Sequence, residues 1–477
     1  MDETYRLSRF VRKLEKNGYT ALFNGLTLKK AYLSSELFRS ALQEIAQPYR
    51  IGRNAVADRL IHAGFLVTAD ADRALFDKIR ASVGKIDISN VRLLISNGCN
   101  FRCSYCQIEE NMAVEQQQYN MTIDVAQKAM DLFEKNSRDD VKKTVTMTGG
   151  EPLMNLPAVK YVIERAENIR QARVVIFTNG SLVTEALARY FAGKNVLMLV
   201  SLDGTREMHD AVRKKKGGQG TFDVSLRGYR RLKKAGCEVG ISAVSGTHNE
   251  GRMKEMADFF LEIDPPSIGL NFGHHLLGKP NPSALPMGRF ADVLIDFYVR
   301  MRHENIFVEN ISRFITPFYQ EKPRFNECQA QGRGLTVDSR GKIGVCKSLL
   351  VADRVAMDID QIPEDLSSVD IFKRFAARSP FTMKQCAECN VIGVCGGGCT
   401  YDSFAVNNGD ITKIDPRVCD YAHKIADFLI WDLFDGIQEK VGDGVYIPEV
   451  KEQEAYYLRF YDSDNALQRS VGHEKDR

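Results

Sequence analysis

Val91-Arg92-Leu93-Leu94-Ile95-Ser96 runs straight into Asn97-Gly98-Cys99-Asn100-Phe101-Arg102-Cys103-Ser104-Tyr105-Cys106. Further on, Thr144-Val145-Thr146-Met147-Thr148 runs into Gly149-Gly150-Glu151-Pro152. Each stretch is a short strand that stops at a loop of unusual composition. Between them, Thr122 to Lys135 reads as a helix with Thr122 at its N-cap. The alternation then continues. Strands are expected at Val174–Thr178, Val196–Leu202, Glu238–Val244 and Ile268–Phe272, and helices at 158–168, 184–192, 222–234 and 251–261. The strands are nearly continuous apolar runs, as parallel strands covered on both faces must be. Strand–helix alternation therefore predicts an α/β domain with a parallel sheet. The stretch 91–272 is short for an eight-fold barrel, which takes about 250 residues, so a partial (β/α)6 barrel over 87–275 fits better.

Residues 1–86 precede the barrel as a separate unit. A short hairpin around Thr20–Thr27, helices at 36–45 and 54–63, and a strand at Phe65-Leu66-Val67 describe a winged-helix-like module. After the barrel, Pro280, Pro282 and Pro286 break the chain, and Met287 to His303 has amphipathic helical spacing in a linker over 276–325. Residues 326–430 are rich in cysteine and glycine, with a hairpin of Leu335–Val337 and Lys342–Val345 around Ser339-Arg340-Gly341. The charged stretch 431–477 reads as a helix followed by a loosely held tail.

Composition excludes several classes. The chain has 477 residues, 44% hydrophobic and 27% charged, within globular averages. The formal net charge of +3 gives no support to nucleic-acid or membrane binding. No apolar run reaches the roughly 18 residues of a membrane span, and no signal core follows the polar Met1-Asp2-Glu3-Thr4. A soluble cytoplasmic protein is expected. In that reducing setting, eleven cysteines are metal ligands or catalytic groups sooner than disulfides.

Ten of them form two groups. Cys99, Cys103 and Cys106 make a C-x3-C-x2-C loop at the carboxyl end of the first barrel strand, where such folds place their chemistry. Three thiolates hold three corners of an iron–sulfur cube and leave one iron open. Structural zinc, the alternative, takes four ligands, and this loop offers no nearby His. The second group reads Cys328, Cys346, Cys386-x2-Cys389-x5-Cys395-x3-Cys399 and Cys419. A pair of zinc knuckles is its alternative, but seven thiolates divide unevenly between two zinc ions. Cys237 stands apart at the head of the fifth barrel strand and reads as a small core residue.

With the cysteine loop after the first strand and Gly-Gly-Glu-Pro after the second, the chain resembles the radical S-adenosylmethionine (SAM) superfamily. The second cysteine group resembles that superfamily's SPASM extension. The resemblance implies a [4Fe–4S] cluster on Cys99, Cys103 and Cys106. The SAM amine then lies against Gly149, Gly150 and Glu151, and the adenine beside Tyr105. It also places Thr178-Asn179-Gly180 and Ser201-Leu202-Asp203-Gly204 near SAM. The pattern His209-Asp210-x-x-Arg213 followed by Gly220-Thr221-Phe222 occurs in one branch, so Ser201, Asp203 and Arg213 are SAM-contact candidates. For the C-terminal group it implies two auxiliary [4Fe–4S] clusters, three clusters in all. The outer one falls to Cys386, Cys389, Cys395 and Cys419, and the inner one to Cys328, Cys346 and Cys399. No cysteine in Gln320–Glu327 supplies a fourth inner ligand.

The activity implied is hydrogen-atom abstraction from a peptide by a 5′-deoxyadenosyl radical, in the manner of the enzymes that mature ribosomally made peptides. Thioether or carbon–carbon cross-linking, epimerisation and backbone excision all fit, and no catalytic side chain is singled out. A precursor peptide and a flavodoxin- or ferredoxin-type electron donor are the implied partners. The N-terminal module is the candidate leader-peptide binder, through a strand added at the edge of its hairpin. Its alternative role is packing. The run Arg213-Lys214-Lys215-Lys216 is either a contact for an acidic leader or a solvated loop. Two rival readings remain. In a sulfatase-maturating protein oxidase an acid follows the inner-cluster cysteine, whereas Lys347 follows Cys346 here, read as a solvated or cluster-edge cation. A non-catalytic iron–sulfur carrier has no need of a SAM site.

Overall fold

Lys16-Asn17-Gly18-Tyr19 sets the N-terminal architecture, because Asn17 and Gly18 both take positive φ (53° and 81°). That is the two-residue turn that matches the twist of a hairpin. The computed structural model describes residues 5–45, 55–108, 117–276, 281, 283–352, 354 and 356–461. Asn54, Pro280, Pro282 and the stretch 462–477 lie outside the described residues. Strand β1 (Arg6–Leu7) comes first, then β2 (Val11–Lys16), β3 (Tyr19–Asn24) and β4 (Lys30–Ser34), and β5 (Leu66–Val67) follows two helices. β1 pairs with β5, and β2-β3-β4 form an antiparallel sheet. The helices are Ser35–Ile45 and Ala55–His62, with a third at Ala69–Arg80 that the sequence reading lacks; Thr68 caps it through Ala71 N.

This module is not an appendage. One sheet face packs Leu22 and Leu33 on Phe38, Leu60 and Phe65. The other carries Phe23 and Tyr32 into the main core, where Phe23 stacks on Phe318 at 5.5 Å and Tyr32 meets Phe434 at 5.4 Å. The outer edge of β4 is not open to a guest strand: Tyr32 exchanges both backbone hydrogen bonds with Tyr446, at 2.8 Å each. Val445 joins the same core, and Ile447 packs against it. The expected loose tail is therefore a clamp as far as Tyr461, including the helix Val450–Leu458 with Gln453 and Tyr457 fully buried. The expected boundary at 430 falls inside the helix Arg417–Ile437, whose Ala422, Ile425, Leu429 and Leu433 are buried at helical spacing.

The barrel follows as β6 (Asn90–Ser96), β7 (Phe101–Cys103), β8 (Lys143–Gly149), β9 (Ala172–Thr178), β10 (Val196–Ser201), β11 (Arg213–Lys215), β12 (Glu238–Ser245) and β13 (Ser267–Phe272). Then come β14 (Phe307–Val308), β15 (Gly334–Val337), β16 (Lys342–Gly344) and β17 (Met357–Asp358). The main sheet has ten strands in the order β14-β13-β12-β10-β9-β8-β6-β15-β16-β17. The six expected barrel strands are all parallel and all present. Val91, Leu93 and Ile95 of β6 enter the helix-covered core, so Arg92, Leu94 and Ser96 face the barrel interior. β15 pairs in parallel with β6, so the cysteine-rich region begins as an extension of the barrel sheet. That also covers an edge strand that would otherwise stand open.

Lys30 ties three segments together. Its side chain is fully buried, and its ammonium donates to Phe318 O at 2.5 Å and Gln453 Oε1 at 2.6 Å, with Glu321 at 3.5 Å. Burial pulls its pKa down to about 7 against the opposing pull of Glu321. Between about pH 7 and the ordinary lysine value the unfolded chain therefore binds more protons than the folded one. Stability should rise with pH across that window. Lys30→Met should abolish the rise, measured as urea midpoints over that pH range.

Candidate functional site

The first cysteine loop is held by strand pairing. β7 pairs antiparallel with β11, placing Cys103 opposite Arg213. Ser104 N donates to Val212 O at 2.9 Å and Cys106 N to Cys103 O at 3.1 Å. Phe101 N and Asn179 Nδ2 point at Cys99 Sγ, at 3.4 and 3.8 Å. Burial, with the neighbouring thiols adding to it, pushes Cys99 up to about 11 and Cys103 up to about 12, although Arg213 opposes the rise at Cys103. Both groups are thus neutral thiols until something compensates their charge.

The second strand end is pressed onto this loop. Gly149 has φ of +127°, a region effectively reserved for glycine. A Cβ on Gly150 would lie 1.9 Å from Gly98 O. Gly150 N donates to Ser96 O at 2.7 Å and Glu151 N to Gly98 O at 2.8 Å. The Glu151 carboxylate accepts from Leu153 N (3.1 Å), Thr178 Oγ1 (2.7 Å) and Asn179 N (2.7 Å). It joins the ends of β8 and β9. Burial nevertheless outweighs these three donors and raises its pKa to about 7.

Asp203 is fully buried at the fourth strand end. It accepts from Arg213 Nε (2.8 Å) and Nη2 (3.1 Å), Tyr105 Oη (2.6 Å) and Val244 N (2.9 Å). Burial works against its ionised form, but Arg213 prevails and holds it at about 2. Asp203 and Arg213 therefore spend themselves largely on each other and on Tyr105. The Arg213 guanidinium also lies over the Tyr105 ring, 5.3 Å from its centroid. Ser201 is half-buried at the end of β10, opposite Ser242. His209 and Thr221 are in hydrogen-bond contact at 3.0 Å, Thr221 Oγ1 donates to Arg213 O, and Asp210 accepts from Thr221 N and Phe222 N. This motif is a bracket that presents Arg213.

The cysteines of the second group lie among one another in the folded chain. Burial raises the Cys399 thiol, with Asp402, Cys328 and Cys346 as the charged neighbours that add to it. Cys386, pushed up to about 12, has Cys389 and Cys419 as neighbours, and Cys395 has Cys389 and Cys386. Consecutive glycines 396–398 all have φ between 71° and 81°. The buried Arg378 fixes that turn through Gly397 O and Gly398 O. Cys237 donates to Ala188 O at 3.2 Å and belongs to neither set.

Besides Lys347, several residues that the sequence did not single out lie between the two groups. Gln107, next to Cys106, donates to His275 O at 3.2 Å and accepts from Ser348 Oγ at 2.9 Å. Lys347 is half-buried rather than solvated. Burial lowers its pKa with help from Arg92, while Cys106, Cys346 and Cys399 oppose this, so it lies between the two sets. His274, Cys399 and Asp402 bring potential ligand atoms within 4.8 Å of one another, and His274 Nδ1 is 2.8 Å from Asp402 Oδ2. The only sequence signal for these polar groups is nearness to a cysteine or to a strand end. Nothing in a single chain separates them from ordinary loop residues.

Residues 93–260 match the model described as "Radical SAM superfamily". The chain is 26% identical over 340 residues to a "Serine-type anaerobic sulfatase-maturating enzyme" of Bacteroides thetaiotaomicron, covering 64% of this chain and 81% of that one. It is 23% identical over 356 residues to "Radical SAM cyclopropyl synthase TigE" of Paramaledivibacter caminithermalis, covering 70% and 72%. In fold it resembles "Native anSMEcpe with bound AdoMet and Cp18Cys peptide", with TM-score 0.61, 17% identity and coverage of 74% and 99%. It also resembles Streptococcus suis SuiB bound to its precursor peptide SuiA, with TM-score 0.54, 14% identity and coverage of 87% and 99%.

Two variants test this geometry. Asp203→Asn strands the buried Arg213 without a counter-charge and should cost about 3–5 kcal/mol in urea unfolding. Asp203→Asn with Arg213→Met should recover part of that loss. For Glu151, the folded state holds its proton more tightly than the unfolded chain, so this group lowers stability as pH rises from the ordinary carboxyl range through about 7. Glu151→Gln in SAM-free protein should remove that decline, and it should cost about 1–3 kcal/mol because its amide meets a donor.

Proposed function

We propose that this chain, a radical SAM enzyme with a cysteine-rich C-terminal extension of SPASM type, modifies a ribosomally made precursor peptide. Cys99, Cys103 and Cys106 would hold the SAM-cleaving [4Fe–4S] cluster, with SAM against Gly149, Gly150 and Glu151 and beside Tyr105, Ser201 and Arg213. Cys386, Cys389, Cys395 and Cys419 would hold an outer auxiliary cluster, and Cys328, Cys346 and Cys399 an inner one. The donor sets fit such groups: buried neutral thiols in mutually opposing sets, on loops with no room for an extra Cβ. When bound, the cluster and SAM together supply one-electron carbon–sulfur cleavage and abstraction of a hydrogen atom from an unactivated carbon.

The observation that carries this reading is the Gln107 bridge. It ties the first cysteine loop to Ser348, two residues after Cys346, and to His275 beyond the last barrel strand, which supports a reading in which a radical formed on a peptide and an electron acceptor would lie close together. The chain's own residues orient the partners there. Asn179 and Phe101 N steady Cys99, and Glu151 locks two strand ends. Asp203 and Arg213 hold Tyr105. Phe177, Leu199 and Asn271 line the half-exposed barrel interior.

Maturation of sulfatases is the second reading, favoured by the 26%-identical relative. Lys347 stands where that chemistry places an acid, and this weighs against it. Co-expression with candidate precursor peptides, followed by mass spectrometry, separates the two. Loss of hydrogens or a new cross-link in the peptide supports the proposal. Formylglycine in a sulfatase-derived peptide, with unmodified precursors, overturns it.

Ligand assignment is tested by iron content. Replacing Cys99, Cys103 and Cys106 together by Ala should remove about four of about twelve irons and all SAM cleavage. Cys237→Ser should change neither, since its thiol is spent on Ala188 O.

A further inference from the structure

The ribbon of β7 and β11 has two unlike faces. Cys103 stands opposite Arg213 and Phe101 opposite Lys215, while Arg102 stands opposite Lys214. Side chains alternate across a strand, so Arg102 and Lys214 share the face turned away from Cys103. Phe101 and Arg213 are buried, whereas Lys214, Lys215 and Lys216 are exposed. None of the three lysines makes an ion pair with any carboxylate of the described residues. Two like charges directly opposite each other destabilise an antiparallel pair. Arg102 donates through Nη1 to Cys99 O at 2.7 Å and Phe101 O at 2.8 Å and so braces the cysteine loop, whereas the exposed lysines beside it on β11 and just after it carry their charge into solvent.

Resting on the proposed cluster at Cys99, Cys103 and Cys106, we infer that this cationic face is the docking surface for the enzyme's electron donor, an acidic one-electron carrier of flavodoxin or ferredoxin type. A protein surface laid on the outer face of a ribbon stands about 10 Å from it, the packing distance of stacked layers. That places the donor one strand away from the cluster. The reduced donor loses one electron and the oxidised cluster gains it; no proton or group moves. The peptide, in contrast, must reach the barrel interior, and Arg102 and Lys214 point the other way. Unpaired lysines act through long-range attraction, so the encounter is steered and salt-sensitive.

The test compares two reductants on the reconstituted enzyme. Lys214→Glu with Lys216→Glu is assayed for 5′-deoxyadenosine formation driven by a photoreduced acidic flavodoxin and, separately, by dithionite. The expected result is about a tenfold higher flavodoxin concentration for half-maximal rate at low salt. The dependence on salt should flatten, and the dithionite-driven rate should not change. The neutral pair Lys214→Gln with Lys216→Gln should give a smaller shift in the same direction. An unchanged flavodoxin dependence overturns the inference. An equal loss with dithionite also overturns it, assigning the ribbon to cluster support. So does weakened precursor-peptide binding with normal flavodoxin kinetics, which assigns the lysines to an acidic peptide. Absence of dithionite-driven cleavage in the unaltered enzyme would instead sink the radical SAM reading itself.

Discussion

Backbone touches backbone where Gly98 meets Gly150, and the rest of the site depends on that contact. A parallel sheet brings its strand ends to one level, but it does not by itself bring their loops together. Here Gly150 N and Glu151 N donate to Ser96 O and Gly98 O, at a separation that excludes even one methyl group. The register irregularity between Leu94 and Ser96 in the β6–β8 pairing falls directly before this contact, where a bulge re-aims a chain. Once the two loops are fused, Glu151 adds the third strand end through Thr178 and Asn179, and Asp203 adds the fourth through Tyr105. The cysteine loop is thereby braced from three strand ends before any metal binds.

The same economy governs the other end of the molecule. The segment from Cys386 to Cys395 packs on the N-terminal module through Phe10, Leu26, Phe76 and Ile392. Gly393 N donates to Gly25 O at 3.0 Å, and a Cβ on Gly25 would lie 2.5 Å from Asn390 O. The C-terminal segment around Tyr446 then bridges the β4 edge of the module at Tyr32, and β2 remains the other edge of the sheet. Chain start, cysteine-rich segment and chain end are thus one packed unit. A module that the sequence offers as a candidate peptide binder packs, in this fold, against the segment that carries Cys386, Cys389 and Cys395.

What the sequence made legible follows the range of the interactions involved. The six barrel strands and five intervening helices could be read because each is a local apolar pattern, and Thr122 is the N-cap it was expected to be. The C-x3-C-x2-C loop stood out because its spacing is local, whereas the division of the C-terminal cysteines rested on the family resemblance alone. The hairpin that starts at Thr20 is present as β3 and β4, but the equally local Asn17-Gly18 turn went unread, and with it the preceding strand β2. The strong apolar run after Thr20 drew attention away from β2, whose Lys13, Glu15 and Lys16 look like surface. The parallel pairing of β15 with β6 joins residues far apart in the chain, and no local pattern announces it. The same holds for the Asp203 clasp: three groups converge on one carboxylate through four hydrogen bonds, and only folding shows that Arg213 and Tyr105 are its partners rather than free contacts.

Charge balance gives the clearest reason for these residues to lie together. Arg378 is buried, and its guanidinium donates only to carbonyl and hydroxyl oxygens, of Ile411, Gly397, Gly398 and Ser403. Burial lowers its pKa, and the acidic groups that oppose this are Cys399, Cys328, Glu327 and Cys395. Arg92 is lowered in the same way, with Cys328 and Cys346 opposing. A buried cation without a counter-ion is costly, and so is a buried thiolate. Separately, each group is driven toward its neutral form: the thiols upward in pKa, the cations downward. A metal centre requires deprotonated sulfur, so loading it releases protons and creates fixed negative charge. On the proposed ligand sets that charge would fall beside Arg92, Lys347 and Arg378, turning two unfavourable burials into one favourable pairing. Buried cysteines and buried cations in one place are the arrangement that an anionic centre would stabilise.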